Sequence, residues 1–158
     1  MKILFLFLIC VCGSISNVTA QSDIKLEIGA KLPRKYLSLE KGLIATHASQ
    51  LRPFVEVTIG NVDYQIAFEK KTRKIKYIHT DDEDFRTVGG FSVDSEITFT
   101  REQLIIFPYW EIRAPAASDG WFPVIGFDIS MQGKEFIEKL KAGEKATTEI
   151  SGFSKGSN

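Results

Sequence analysis

Hydrophobic and polar residues alternate one by one through the middle of the chain, and a two-residue period predicts paired β-strands. In Pro53-Phe54-Val55-Glu56-Val57-Thr58-Ile59, the residues Val55, Val57 and Ile59 share one face, with Glu56 and Thr58 opposite. Gly60-Asn61 follows at once, placing glycine where a two-residue hairpin turn needs a positive φ. Val62–Glu69 alternates again and turns Val62, Tyr64, Ile66 and Phe68 inward. A polar turn at Lys70-Lys71-Thr72 leads into a third strand, Arg73–His79. The pattern therefore predicts a three-stranded antiparallel meander, ended by the acidic loop Asp81-Asp82-Glu83-Asp84.

Elsewhere the periods are shorter. Ile24–Gly29 alternates like a strand, whereas Leu32–Ser49 shows no readable period. Phe85–Val93 reads as an irregular crossing with a turn at Gly89-Gly90. Ile97-Thr98-Phe99-Thr100 is β-like, but Thr100–Gln103 has capping-box spacing before Leu104 and predicts a short helix over Arg101–Ile106, stopped by Pro108. Two strands, Tyr109–Arg113 and Trp121–Ile129, are joined by the small-residue loop Ala114–Gly120. A helix over Lys134–Ala142 buries Phe136, Ile137 and Leu140, with Gly143 as its C-terminal cap. Ser151–Asn158 is polar and is expected to fray. With no internal repeat and no linker, the expectation is a single α+β domain over residues 21–150. It consists of an antiparallel β-meander with one or two short helices, followed by a polar tail over 151–158.

The first twenty residues follow neither period. Met1-Lys2 is followed by the apolar run Ile3–Cys12, then by small and polar residues ending in Val18-Thr19-Ala20. That order is the n-region, h-region and cleavage site of a secretory signal peptide, cut after Ala20. The run is about half the roughly 20 apolar residues a spanning helix needs, so no transmembrane segment is expected. Lipoprotein processing at Cys10 or Cys12 is disfavoured, because Ile9 and Val11 precede them rather than small residues. The expected location is periplasmic or extracellular, in a bacterial envelope.

Removal of the signal changes the composition. Both cysteines lie within it, so the remaining 138 residues have no thiol and must fold on burial alone. Without Lys2 there are 19 basic residues against 20 acidic ones, a balance that offers no general attraction to nucleic acid or anionic lipid.

Candidate chemistry is sparse. The two histidines, His47 and His79, exclude an H-E-x-x-H zinc site, and the absence of cysteine excludes thiolate sites. No cofactor or metal is expected. His79 ends a strand beside the acidic loop, either as a solvated imidazole or as a base poised by Asp81 or Asp82. The loop's four carboxylates are contiguous rather than alternating, which favours a solvated acidic turn over a calcium loop. Gly90-Phe91-Ser92-Val93-Asp94 has Asp94 where a nucleophile elbow carries glycine, and is set aside. Lys70, Lys71, Arg73, Lys74 and Lys76 form a basic hairpin tip, a solvated turn or a contact for an anion. Phe107-Pro108-Tyr109-Trp110 and Trp121-Phe122-Pro123 flank one predicted hairpin, and alternation cannot bury neighbouring aromatics on one face. Part of that cluster is expected at the surface, where aromatics mark partner contacts.

Lys74–Ser95 resembles a segment of small exported bacterial proteins of unknown function. In these a strand leads through a polar loop into F-x-T-x-x-G, here Phe85-Arg86-Thr87-Val88-Gly89-Gly90, and glycine is commoner where Asp94 stands here. The resemblance implies envelope localisation and carries over no site. The resulting expectation is a non-catalytic binding protein, inhibitor-like or immunity-like, with a protein partner in the envelope. Its contacts would be Tyr109, Trp110, Trp121 and Phe122, with Asp81, Asp82 and Asp84 as an electrostatic rim. A small hydrolase or carbohydrate-active protein using His79 and carboxylates is the alternative, and a structural envelope component is a third reading.

Overall fold

The alternating stretch folds as its period dictates. In the computed structural model, which describes residues 23–46, 50–106, 110–112, 118–125 and 137–156, β2 (Gln50–Ile59) and β3 (Val62–Phe68) pair in antiparallel register from Phe54↔Ala67 to Ile59↔Val62. Gly60 makes the turn at φ +66°. The third strand, β4 (Ile75–Thr80), pairs with β3 and completes the meander. Val55, Val57, Tyr64, Ile66 and Phe68 enter the hydrophobic core, with Ile59 and Val62 packed against it.

Leu32–Ser49 supplies an edge strand that periodicity did not reveal. A single 3-10 helix over Arg34–Leu39 delivers the chain into β1 (Glu40–Thr46), which pairs with β2 and carries a bulge between Glu40 and Gly42. Ile24–Gly29, expected as a strand, is instead a turn-containing segment. It is tied to the start of β4 by Gly29 N–H to the Ile75 carbonyl and Ile75 N–H to the Ala30 carbonyl, each at 2.8 Å.

The capping box forms, with Gln103 Oε1 accepting from the Thr100 N–H at 2.8 Å, but it caps only one 3-10 turn, Arg101–Gln103. The predicted helix then gives way to β6 (Leu104–Ile106), because β-branched Ile105 and Ile106 favour an extended pair with β7 (Trp110–Ile112). The expected β-like segment is β5 (Glu96–Phe99), paired with β9 (Ala146–Glu149) in a separate two-stranded sheet. A helical turn over 137–141 ends as anticipated at Gly143, φ +81°. The Glu144 N–H reaches the Lys139 carbonyl and the Gly143 N–H reaches the Leu140 carbonyl, the paired bonds of a Schellman cap.

The largest departure lies at the C-terminus. Residues expected to fray form β10 (Gly152–Gly156), a strand inside the eight-stranded sheet of order β1-β2-β3-β4-β10-β8-β7-β6. It pairs antiparallel with β4 on one side and with β8 (Phe122–Ile125) on the other. Two meanders, β1–β4 and β6–β8, are thus joined through the last strand. Its side chains are mostly small or polar, so the sequence reads as a tail, but its backbone groups are satisfied on both edges. The fold is mostly antiparallel sheet with a few short helical turns, broadly α+β and weighted towards β.

One cluster collects the core. Phe85 stands 4.8 Å from Trp121 and 5.0 Å from Phe153 between ring centroids, and Tyr64 meets Phe85 edge-on at 6.3 Å. The crossing loop is set by Thr87, whose hydroxyl accepts the Phe91 N–H at 3.1 Å, and by Asp94 at φ +66°. That left-handed conformation is the one glycine adopts without steric cost.

Candidate functional site

A row of polar side chains crosses the sheet on the face away from the core, and strand register puts it there. Glu56 lies opposite Gln65, Gln65 opposite His79, and His79 opposite Ser154. Each belongs to the polar half of an alternating strand, so the two-residue period that builds the core also lines up this row. Glu56, Gln65 and His79 of this row, with Lys41, Thr58, Asp63 and Asp81, border an open groove of about 550 Å³, and Ser154 at the end of the row is buried.

Contacts within the groove hold several of these groups. Lys41 Nζ lies 3.8 Å from Glu56 Oε2. The Thr58 hydroxyl donates to Asp63 Oδ1 at 2.5 Å, and the buried Thr80 hydroxyl donates to the Asp63 carbonyl at 2.7 Å. The half-buried His79 ring lies parallel to that of Tyr77, at 6.5 Å between centroids and 5° between planes. Gly152 makes room for it, since a β-carbon there would stand 3.1 Å from His79 Cε1. One imidazole and the carboxylates of Glu56, Asp63 and Asp81 are the groups a proton-transfer site uses. Among the described residues no group of three or more His, Cys, Asp or Glu side chains is placed to hold a metal ion.

The acidic loop does not act as one rim. Asp81 borders the groove. Asp82 turns inward as a clasp: Oδ2 accepts the Asp63 N–H at 2.8 Å and Oδ1 accepts the Asp84 N–H at 2.9 Å. Those bonds, the one from Asp63 first, hold its carboxyl below the usual carboxylate range. The Tyr64 hydroxyl is pushed up by burial and then by the Asp82 charge. Asp84 is exposed, with its own amide committed to Asp82.

The aromatic cluster also divides. Trp121 is only 7% exposed and belongs to the core, 6.2 Å from Tyr64 between ring centroids, with Lys155 Nζ 5.1 Å over its ring. The expectation of Trp121 as a surface contact is corrected accordingly, because its ring, just ahead of β8, packs 4.8 Å from that of Phe85. Phe122, the next residue and so on the opposite face, is half-buried across from Ser154. Trp110 opens β7, in register with Ile106 and Ile125. Tyr109 and His47 lie outside the described residues, as does the segment 1–22.

A surface that the alternation did not mark lies on the β1–β2 arm. Leu43 and Leu51 are 62% and 65% exposed, although both are large and apolar. Leu43 pairs with Pro53 and Leu51 with Ala45, which places all four on one face of the arm. The available signal was the uncharged run Gly42-Leu43-Ile44-Ala45-Thr46 within an otherwise polar stretch. No family model, curated protein or solved structure matches this chain.

Proposed function

We propose that this chain is an exported, non-catalytic binding protein that acts by protein–protein contact through the β1–β2 arm. The observation that carries the reading is the pair Leu43 and Leu51, exposed on the edge strand β1 and on its neighbour β2 at one end of the eight-stranded sheet. Edge strands are usually guarded by charge, proline or a bulge. Here the bulge sits at Glu40–Gly42, and Leu43–Thr46 beyond it is regular and uncharged. The occupant we infer is an extended segment of a partner protein, added as a further strand along β1 with apolar side chains towards Leu43 and Leu51. Export after cleavage at Ala20 places that partner in the envelope or outside it, and mass spectrometry of the mature N-terminus checks the export step.

The test compares capture by wild type with capture by Leu43→Lys and Leu51→Lys, both conservative of fold because the side chains are already solvated. A partner retained by wild type and released by both variants is the expected result. Equal capture by all three refutes the arm as the interface. A concentration-dependent dimer abolished by Leu43→Lys also refutes it, because the edge would then serve self-association.

A second reading, a small hydrolase, is favoured by one observation: the groove brings His79 and Asp81 together with Glu56 and Asp63 from other strands. It ranks below the first because Lys41 and Thr58 already engage two of those carboxylates. Turnover of ester or glycoside substrates by wild type, lost in His79→Gln without a change in melting temperature, would reverse the order.

A further inference from the structure

Five cationic side chains from two distant segments converge on one concavity, although the chain as a whole is close to neutral. Lys31 and Arg34, from the segment leading to β1, meet Lys71, Arg73 and Lys74, from the turn between β3 and β4, around a pocket of about 420 Å³. Gly29 and Thr72 complete its lining, and among the described residues no carboxylate contributes to it. We propose that this pocket binds a multiply charged phosphate anion, free or carried on a larger molecule.

The backbone builds the convergence. Lys31 and Lys74 form an isolated antiparallel bridge, and the Leu32 N–H donates to the Arg73 carbonyl at 2.8 Å. In an extended strand Arg73 and Lys74 would point to opposite faces. Arg73 instead takes φ +60°, a conformation rare for a residue with a β-carbon, and both side chains reach the same pocket. Its guanidinium is steadied by donation from Nη1 to the Leu32 carbonyl at 3.2 Å, which leaves its other donors available.

Charge pairing separates this group from the other lysines nearby. Lys25 pairs with Glu27, Lys35 with Asp23 and Lys70 with Glu40. Among the described residues Lys31, Arg34, Lys71 and Lys74 make no ion pair. The nearest acid on the turn, Glu69, accepts the Thr72 hydroxyl at Oε2 at 2.7 Å and feels the charges of Lys76 and Arg52 ahead of that of Lys74. Holding five like charges together, with no carboxylate among the described lining residues, raises the energy of the empty pocket, and an anion relieves it. A single orthophosphate carries at most about two charges near neutrality and offsets less than half of the five. A ligand with several phosphate groups matches the set, and the arginine fork suits its oxygens.

The experiment titrates the full mature chain with sodium tripolyphosphate by calorimetry, at about 20 mM and about 150 mM salt. Saturable 1:1 binding is expected, weaker at the higher salt and at least about tenfold tighter than orthophosphate. Lys31→Glu and Lys71→Glu should each weaken it about tenfold, because each removes one charge-assisted contact and adds a repulsive one. Lys145→Glu, an exposed lysine outside the pocket, makes the same change in net charge and should alter affinity by less than about twofold. No saturable binding at low salt, or equal weakening by Lys145→Glu, overturns the proposal. Phosphatidylglycerol vesicles identify the source of the phosphate. Vesicle binding displaced by tripolyphosphate assigns a lipid headgroup, and tripolyphosphate binding without vesicle binding assigns a soluble ligand. Vesicle binding unaffected by both tripolyphosphate and Lys31→Glu would overturn the site.

Discussion

Adding one methyl group at Gly152 tests the central placement of the last strand. A β-carbon at that position would stand 2.8 Å from the Thr80 carbonyl oxygen, 3.1 Å from His79 Cε1 and 3.5 Å from the Asp81 Cα. Carbon–oxygen contacts across sheets run at about 3.3–3.6 Å, so β10 and β4 must separate by roughly half an ångström or the Thr80 peptide must rotate. The obstacle is backbone within a paired strand, which yields less readily than a side chain. Overpacking of this kind costs about 1–3 kcal/mol. At roughly 2–4 °C per kcal/mol for a domain of this size, Gly152→Ala should melt roughly 2–12 °C below wild type. Amide exchange at β10, paired through Phe153↔Thr80 and Ser154↔His79, should quicken in parallel. Adding His79→Ala relieves only the 3.1 Å contact and should restore less than half of the loss. A Gly152→Ala protein that melts within about 1 °C of wild type, with unchanged exchange in β10, would refute the close approach and the strand order built on it.

Three other perturbations separate structural from functional roles. Trp121→Ala should cost about 3–5 kcal/mol in chemical denaturation, since it empties the space beside Phe85 and Tyr64; an unchanged midpoint would return Trp121 to the surface. Asp94→Gly should fold with stability within about 1 kcal/mol of wild type, whereas Asp94→Val should lose about 1–3 kcal/mol, because φ +66° suits glycine and strains a β-branched residue; equal midpoints for the two would contradict that conformation. The Asp82 carboxyl is held below its unfolded value, so its contribution is present above about pH 4 and is lost as pH falls through the folded value. Wild type should therefore exceed Asp82→Asn in urea midpoint at pH 6, with the gap closing towards pH 3, and a gap independent of pH would contradict the clasp.

Legibility followed the range of the interactions involved. The β2–β3 hairpin could be read because alternation, glycine at the turn and the inward set Val55, Val57, Tyr64, Ile66 and Phe68 are all local. Gly143 was legible for the same reason, since a helix cap is completed within six residues. Residues 101–106 misled, because the capping box specifies a first turn but not its continuation. Of the site, the sequence placed His79 at a strand end beside the acidic loop. It could not show that Asp82 would spend both oxygens on the amides of Asp63 and Asp84, a residue nineteen positions away and one two positions on.

Sequence alone determined the sidedness of the central strands, their antiparallel pairing, the turn and cap glycines and the shortage of catalytic residue types. Side-chain period and backbone preference act over a few residues and are written locally. Tertiary structure decided the rest. The Gly152–Gly156 segment has little apolar surface of its own and becomes a strand only because β4 and β8 both offer unpaired backbone. The groove exists because register aligns Glu56, Gln65 and His79, and the cationic pocket because Lys31 bridges to Lys74 across more than forty residues. Such contacts depend on which strand edges remain open once the local elements have formed, and no window of sequence holds that information.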